Sequence, residues 1–179
     1  MKSPEYVLGF VIGLLVSISV VAIIALINRK RNKPKEYDER QQAALGKAYK
    51  YGYFTFIIVE LTAMVFSLVG IQIPVEPALL HFLIVLCAGS VTAVVSIWKD
   101  AYFRIGQKKL AWTILLLIIV MLNIITFARS DRAELITADG LLSYKWLNPA
   151  ACLFLVLIVA NVWLKVIADK KTDKNETED

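Results

Sequence analysis

Five apolar stretches, each long enough to cross a bilayer, constrain this chain more than anything else in it. They cover residues 7–28, 52–71, 78–98, 111–128 and 148–168. Each supplies about 20 residues, which at about 1.5 Å per residue matches about 30 Å of hydrocarbon. With 58% hydrophobic residues and a mean hydropathy of +0.64, a water-soluble domain of 179 residues would lack the polar surface to cover itself. A spanning segment must satisfy its own backbone groups, so all five are expected to be helices. The expected fold class is therefore an all-α, polytopic membrane bundle of five transmembrane helices.

Prolines fall at the edges of the runs and never inside them. Pro74 and Pro77 precede the third run, and Pro149 follows Asn148. Asn148 reads there as an N-cap and Pro149 as the first helical position. The first run resembles a signal peptide only in being apolar and amino-terminal. Its positive cluster follows rather than precedes it, so an uncleaved anchor is expected.

Orientation follows from where the cations lie. Eight Lys and Arg fall in 29–51, four in 99–110, and four more are Lys165, Lys170, Lys171 and Lys174, making sixteen of the twenty. Lys2, Arg129, Arg132 and Lys145 are left for the other side. The positive-inside rule then places the amino terminus outside and the carboxyl terminus inside. The 29–51 segment becomes cytoplasmic, 129–147 the longest external loop, and 169–179 a charged tail expected to be disordered.

Arg29, Lys30, Arg31, Lys33 and Lys35 would lie at the membrane surface. There each could gain on the order of 1 kcal/mol from anionic headgroups or contact a protein partner. Arg104 and Lys108 on the 99–110 connection have the same expected role. After Pro34, acids at 36–39 and bases at Lys47 and Lys50 suit a short helix oriented with its dipole. It would run into the second span, with Gly46 or Gly52 allowing a bend. No exposed basic domain with a stacking platform is present, so nucleic acid is not an expected partner.

Small residues recur at four-residue spacing. Gly9, Gly13 and Ser17 form one strip, and Gly89 with Ala93 another. Such strips let helix backbones approach closely, within one chain or between two copies.

Glu60 is the only acid inside any run. A carboxylate in hydrocarbon costs about 2.5–3.5 kcal/mol on insertion scales, so it needs an offsetting partner. Counting from the positive ends of the runs places Glu60, Ser19, Ser90 and Asn161 at similar depth. A polar layer of these four is expected, with Glu60 bonded to one of the other three. Since no base is expected in that layer, a neutral, hydrogen-bonded carboxyl is the simplest form. His81, the single histidine, counts toward the outer end of its run and reads as an interfacial residue rather than a relay partner. Cys87 and Cys152 sit in different runs without metal-ligand spacing and read as packing residues. Asp139-Gly140 between LIT and LLSY suggests a turn or hairpin in the external loop.

DERQ at 38–41, GKAYKYGYFTF at 46–56 and IWKDAYF at 97–103 resemble segments of a group of small multi-span membrane proteins of Gram-positive-type bacteria. The resemblance implies a bacterial plasma-membrane location and transfers no activity and no cofactor.

The sequence shows no nucleophile elbow, Walker loop, HExxH, EF-hand loop or paired intramembrane carboxylate. Enzyme, metal and cofactor readings are accordingly not expected. Two function classes remain. One is an accessory or regulatory protein that acts through its basic cytoplasmic loops. The other is a small transporter or channel subunit in which Glu60 titrates.

Overall fold

The computed structural model of the chain describes residues 37–129 and 135–176, the last five by backbone alone, together with Val16, Ser19 and Ile23. It divides into two compact units, Met1–Glu36 and Tyr37–Asp179. In the first unit Val16, Ser19 and Ile23 are helical. The rest of the 7–28 run, the Gly9, Gly13 and Ser17 strip, and the cations Arg29, Lys30, Arg31, Lys33 and Lys35 lie outside the described residues.

The second unit is built from four long helices: α1 (Glu39–Leu68), α2 (Pro77–Trp98), α3 (Lys109–Ala128) and α4 (Leu147–Glu176). Among the described residues, these four are long and apolar enough to cross a membrane. α1 packs on α2, α2 on α4, and α4 on α3. The order across the unit is thus α1, α2, α4, α3, two antiparallel hairpins joined where α2 and α4 run side by side.

α1 starts where the sequence supplies a capping box. The Asp38 carboxylate accepts from the Gln41 backbone N–H at 2.6 Å, and the Gln41 side chain accepts from the Asp38 N–H at 3.3 Å. From there it continues through Gly46 and Gly52 as one helix, where a short helix and a bend were expected. Gly52 has a different purpose. A Cβ at this position would overlap the Thr92 hydroxyl and lie 3.0 Å from the Ala88 carbonyl oxygen, so the glycine lets α1 and α2 approach.

Both helices of this hairpin end in the same motif. After α1, Ile71 N–H reaches Phe66 O and Gly70 N–H reaches Ser67 O, with Gly70 at φ 77°. After α2, Ala101 N–H reaches Ser96 O and Asp100 N–H reaches Ile97 O. These are Schellman closures, which place their C′ residue in the left-handed region and therefore favour glycine. At the second, that residue is Asp100, at φ 56°.

The end of the unit with the 99–108 connection gathers most of its cations and is here termed the basic end. The core lies toward it. Ala93 and Ile97 of α2, Leu116 of α3, and Ile158 and Val162 of α4 are buried together, with Tyr102 and Phe103 packed against them. Gly89 lies one turn before Ala93 in α2, where a Cβ would meet the Phe154 ring of α4 at 3.5 Å, an ordinary contact. Elsewhere, large apolar side chains stand exposed, among them Ile58, Leu68, Leu122 and Leu153. Such an apolar exterior is at equilibrium in hydrocarbon rather than in water.

Two helix limits differ from the sequence expectation. The entry to α4 is not capped by Asn148. Ser143 caps a single 3-10 turn, Tyr144–Trp146, which leads directly into α4. Pro149 is then tolerated in the first turn, where backbone N–H groups have no intrahelical acceptor. At the other end α4 stays helical to Glu176, through the first eight residues of the stretch expected to be disordered. Lys165 and Asp169 pair one turn apart at 2.6 Å, and Lys170 and Lys171 suit the negative end of the helix dipole.

Candidate functional site: an acid–base pair beneath a small hairpin

Glu60 lies eight residues before the end of α1, and His81 four residues after the start of α2. Both side chains therefore belong to the end of the hairpin opposite the basic end. His81 Nδ1 lies 3.1 Å from Glu60 Oε1 and 3.4 Å from Oε2. With the imidazole protonated this is a salt bridge; with it neutral, an Nδ1–H hydrogen bond to the carboxylate.

Two members of the expected polar layer, Ser90 and Asn161, bond elsewhere. The Ser90 hydroxyl donates to Leu86 O at 2.8 Å, inside its own helix. Asn161 donates to Leu157 O at 2.9 Å and accepts the Trp98 indole N–H at 3.1 Å, nearer the basic end. Ser19 belongs to the first unit. The premise that no base shares the depth of Glu60 fails, and His81 is its partner.

The correction has a geometric cause. The apolar run 52–71 begins at Gly52, which run length alone sets at the membrane boundary. Across the seam, however, Gly52 is level with Ala88 and Thr92, well inside α2. At the basic end, the residue of α1 beside the α2 terminus is Gln41, whose Nε2 donates to Asp100 O at 2.8 Å. Lys47 and Lys50 therefore run alongside apolar turns of α2, and Glu60 sits about two turns further from the basic end than Ser90. Counting from the nearby 69–76 connection would have brought Glu60 and His81 together.

Over the pair sits a small cap. Thr137 N–H bonds Leu141 O at 2.8 Å and Gly140 N–H bonds Thr137 O at 3.0 Å, forming a tight turn at Asp139-Gly140 with Gly140 at φ 77°. Leu142 bridges Ile136 on one side and Val75 on the other. Its N–H donates to Pro74 O, and its carbonyl accepts from Glu76 N–H. The Glu76 carboxylate accepts the Tyr144 N–H at 2.6 Å, which fastens the start of α4 to the same point.

Between this cap and the α1–α2 turn lies a pocket of about 790 Å³. Met64, Leu68, Ile71, Leu80 and Leu141 form its apolar walls, and Glu60, His81 and Asp139 are its titratable groups. Its size is that of a small-molecule site. Among the described residues no three His, Cys, Asp or Glu side chains converge closely enough to hold a metal ion.

A second polar centre fastens the basic end. Besides the bond from Gln41, Asp100 faces Lys165 of α4, with Oδ2 3.4 Å from Nζ. The DERQ segment at 38–41 and the IWKDAYF segment at 97–103 thus meet at one contact. Arg104 and Lys108 are exposed on the same connection. Of these features, Glu60, His81, the cations and Asp139-Gly140 stood out in the sequence, but not the pairing of the first two. Asp38 and Gln41 carried a readable capping signal, whereas the reach from Gln41 to Asp100 depends on helix register.

Comparison with protein-family models, with curated proteins and with solved structures finds no match for this chain.

Proposed function

We propose that this chain is a multi-pass protein of a bacterial plasma membrane that acts as an accessory or regulatory subunit, not as an enzyme. In this reading its amino terminus lies outside and its carboxyl terminus inside. The observation that carries it is the Glu60–His81 contact, which joins α1 and α2 at one end of a hairpin whose other end carries exposed cations. The contact joins an acid to a base, so gain or loss of a proton by either partner changes the charge across it. Asp139, on the hairpin above, is the third charged group lining the same pocket. Arg104 and Lys108, at the basic end, would meet anionic lipid or a partner protein, the role the sequence also suggests for the 29–35 cations.

The test is crosslinking in intact cells, followed by identification of co-purified proteins at pH 7.5 and 5.5. A partner whose yield changes with pH in the wild type and not in Glu60→Gln is expected. A yield that ignores both pH and the substitution would reject the reading.

The pocket favours a second reading, in which the protein is a transporter subunit and Glu60 titrates during the cycle. Solute flux driven by a proton gradient in liposomes containing only this protein, and lost in Glu60→Gln, would replace the first reading with the second.

A further inference from the structure

We propose that the pocket between the α1–α2 turn and the Asp139-Gly140 hairpin binds an organic cation with an apolar body, which Glu60 receives in place of the His81 imidazole. The proposal rests on the reading of Glu60 and His81 as an input site and names what that site takes.

Three properties of the pocket select this class of ligand. The first is the balance of charge. Among the described residues, two carboxylates, Glu60 and Asp139, line it against one imidazole, and no Lys or Arg does. With the imidazole neutral and both carboxylates ionised, the formal charge of these described groups is negative. The second is the wall. Met64, Leu68, Ile71, Leu80 and Leu141 would solvate a hydrocarbon body and offer nothing to a hydrated inorganic ion. The acidic groups also fail to converge as metal ligands do.

The third property is exposure. The His81 side chain is 62% exposed and that of Glu60 35%, although both lie on helices apolar enough to span a membrane. Ionisable groups at such depth are expensive against lipid and face an interior or a cavity. A cation seated beside Glu60 supplies the charge that imidazole otherwise supplies. Ligand and protonated His81 therefore compete for one carboxylate, and binding should weaken on acidification.

The probe is tetraphenylphosphonium, with tetraphenylborate as a comparator of nearly the same shape and opposite charge. Full-length protein in detergent is dialysed against each ion at pH 8, with protein-free micelles as the blank. Saturable binding of the phosphonium at about one per chain is expected, with the borate at least about tenfold weaker. Glu60→Gln should lose at least about tenfold, Asp139→Asn less, and Ser90→Ala nothing. Lowering the pH to 5.5 should weaken binding to the wild type and leave His81→Gln unchanged.

Equal affinity for the two ions would overturn the proposal, marking an apolar groove that accepts a lipid chain or a second copy. Unchanged binding in Glu60→Gln, or no saturable binding at all, would also overturn it. Should Glu60→Gln lose its helical signal, His81→Gln decides: persistence of the acid effect in that variant is incompatible with competition. The proposal and the functional reading fail separately. Loss of phosphonium binding with pH-dependent partner crosslinking intact rejects only the ligand, and the converse rejects only the regulatory role.

Discussion

At the scale of single residues, Asp100 carries an unusual load. Its left-handed backbone costs a residue with a side chain about 1–2 kcal/mol, less for Asp and Asn than for most. It is retained where its carboxylate faces Lys165 and its carbonyl receives Gln41. Asp100→Asn keeps the tolerance for this conformation and removes an ion pair whose acid is half exposed, so a loss below about 1 kcal/mol is expected. Asp100→Ala should cost more, about 1–2 kcal/mol, because the strain stays while the side-chain contacts go. Unfolding in mixed micelles with graded denaturing detergent would rank them; an alanine variant as stable as the asparagine variant would contradict this account. Tyr102, on the same connection, is half-buried. Burial first, and the Tyr37 phenol second, hold its pKa above the ordinary phenol value. The neutral phenol is therefore favoured in the folded state. Its contribution is complete below about pH 10 and falls as pH rises through the folded value. Tyr102→Phe should reduce the alkaline loss of stability, read by helical signal against pH.

At the scale of elements, the α1–α2 hairpin shows what was legible beforehand and what was not. The existence of both helices followed from apolar length, whereas the capping box at Asp38 and Gln41, although local chemistry, went unread among the acids at 36–39. Register was not local. Nothing within 52–71 states that Gly52 lies level with Thr92 rather than at the boundary, and from that offset came the wrong partner for Glu60. The end of α4 was missed for a related reason, because a charged composition suggests disorder while i,i+4 pairing and the dipole extend a helix already begun. Gly52→Ala tests the seam. A methyl group there meets the Thr92 hydroxyl and the Ala88 carbonyl, so a loss of about 1–3 kcal/mol is expected from overpacking. Adding Thr92→Ala should restore part of it, since the Ala88 carbonyl still crowds the new Cβ. Full additivity of the two losses in the same unfolding assay would argue against direct contact.

At the scale of the whole molecule, composition and run length already pointed to a helical membrane protein, and four helices among the described residues have the length and apolarity to span. The fifth span and the orientation rest on the 7–28 run and on the distribution of Lys and Arg. Reporter tags at Met1 and Asp179 are expected on opposite faces of the membrane, the second inside; finding both on one face would remove the five-span layout. Within the second unit the core and the pocket occupy different ends. The buried cluster gathers α2, α3 and α4 near the basic end, whereas the pocket lies between α1, the first turn of α2 and the small hairpin. Substitutions lining the pocket, such as Met64→Ala, are therefore expected to change ligand or pH response with little effect on stability. Ile97→Ala, in the core, should destabilise by about 2–5 kcal/mol in the same detergent series.

Gly52 also decides how the two long arms of the hairpin can move. It stands between the Gln41–Asp100 tie and the Glu60–His81 pair, about 16 Å from one and 12 Å from the other along α1. With Ala88 and Thr92 pressed against it, α1 cannot slip lengthwise along α2 without driving a side chain through a backbone. Any bulk added at this waist would therefore wedge the arms apart between two fastenings, loading the Gln41–Asp100 tie and the Glu60–His81 pair together.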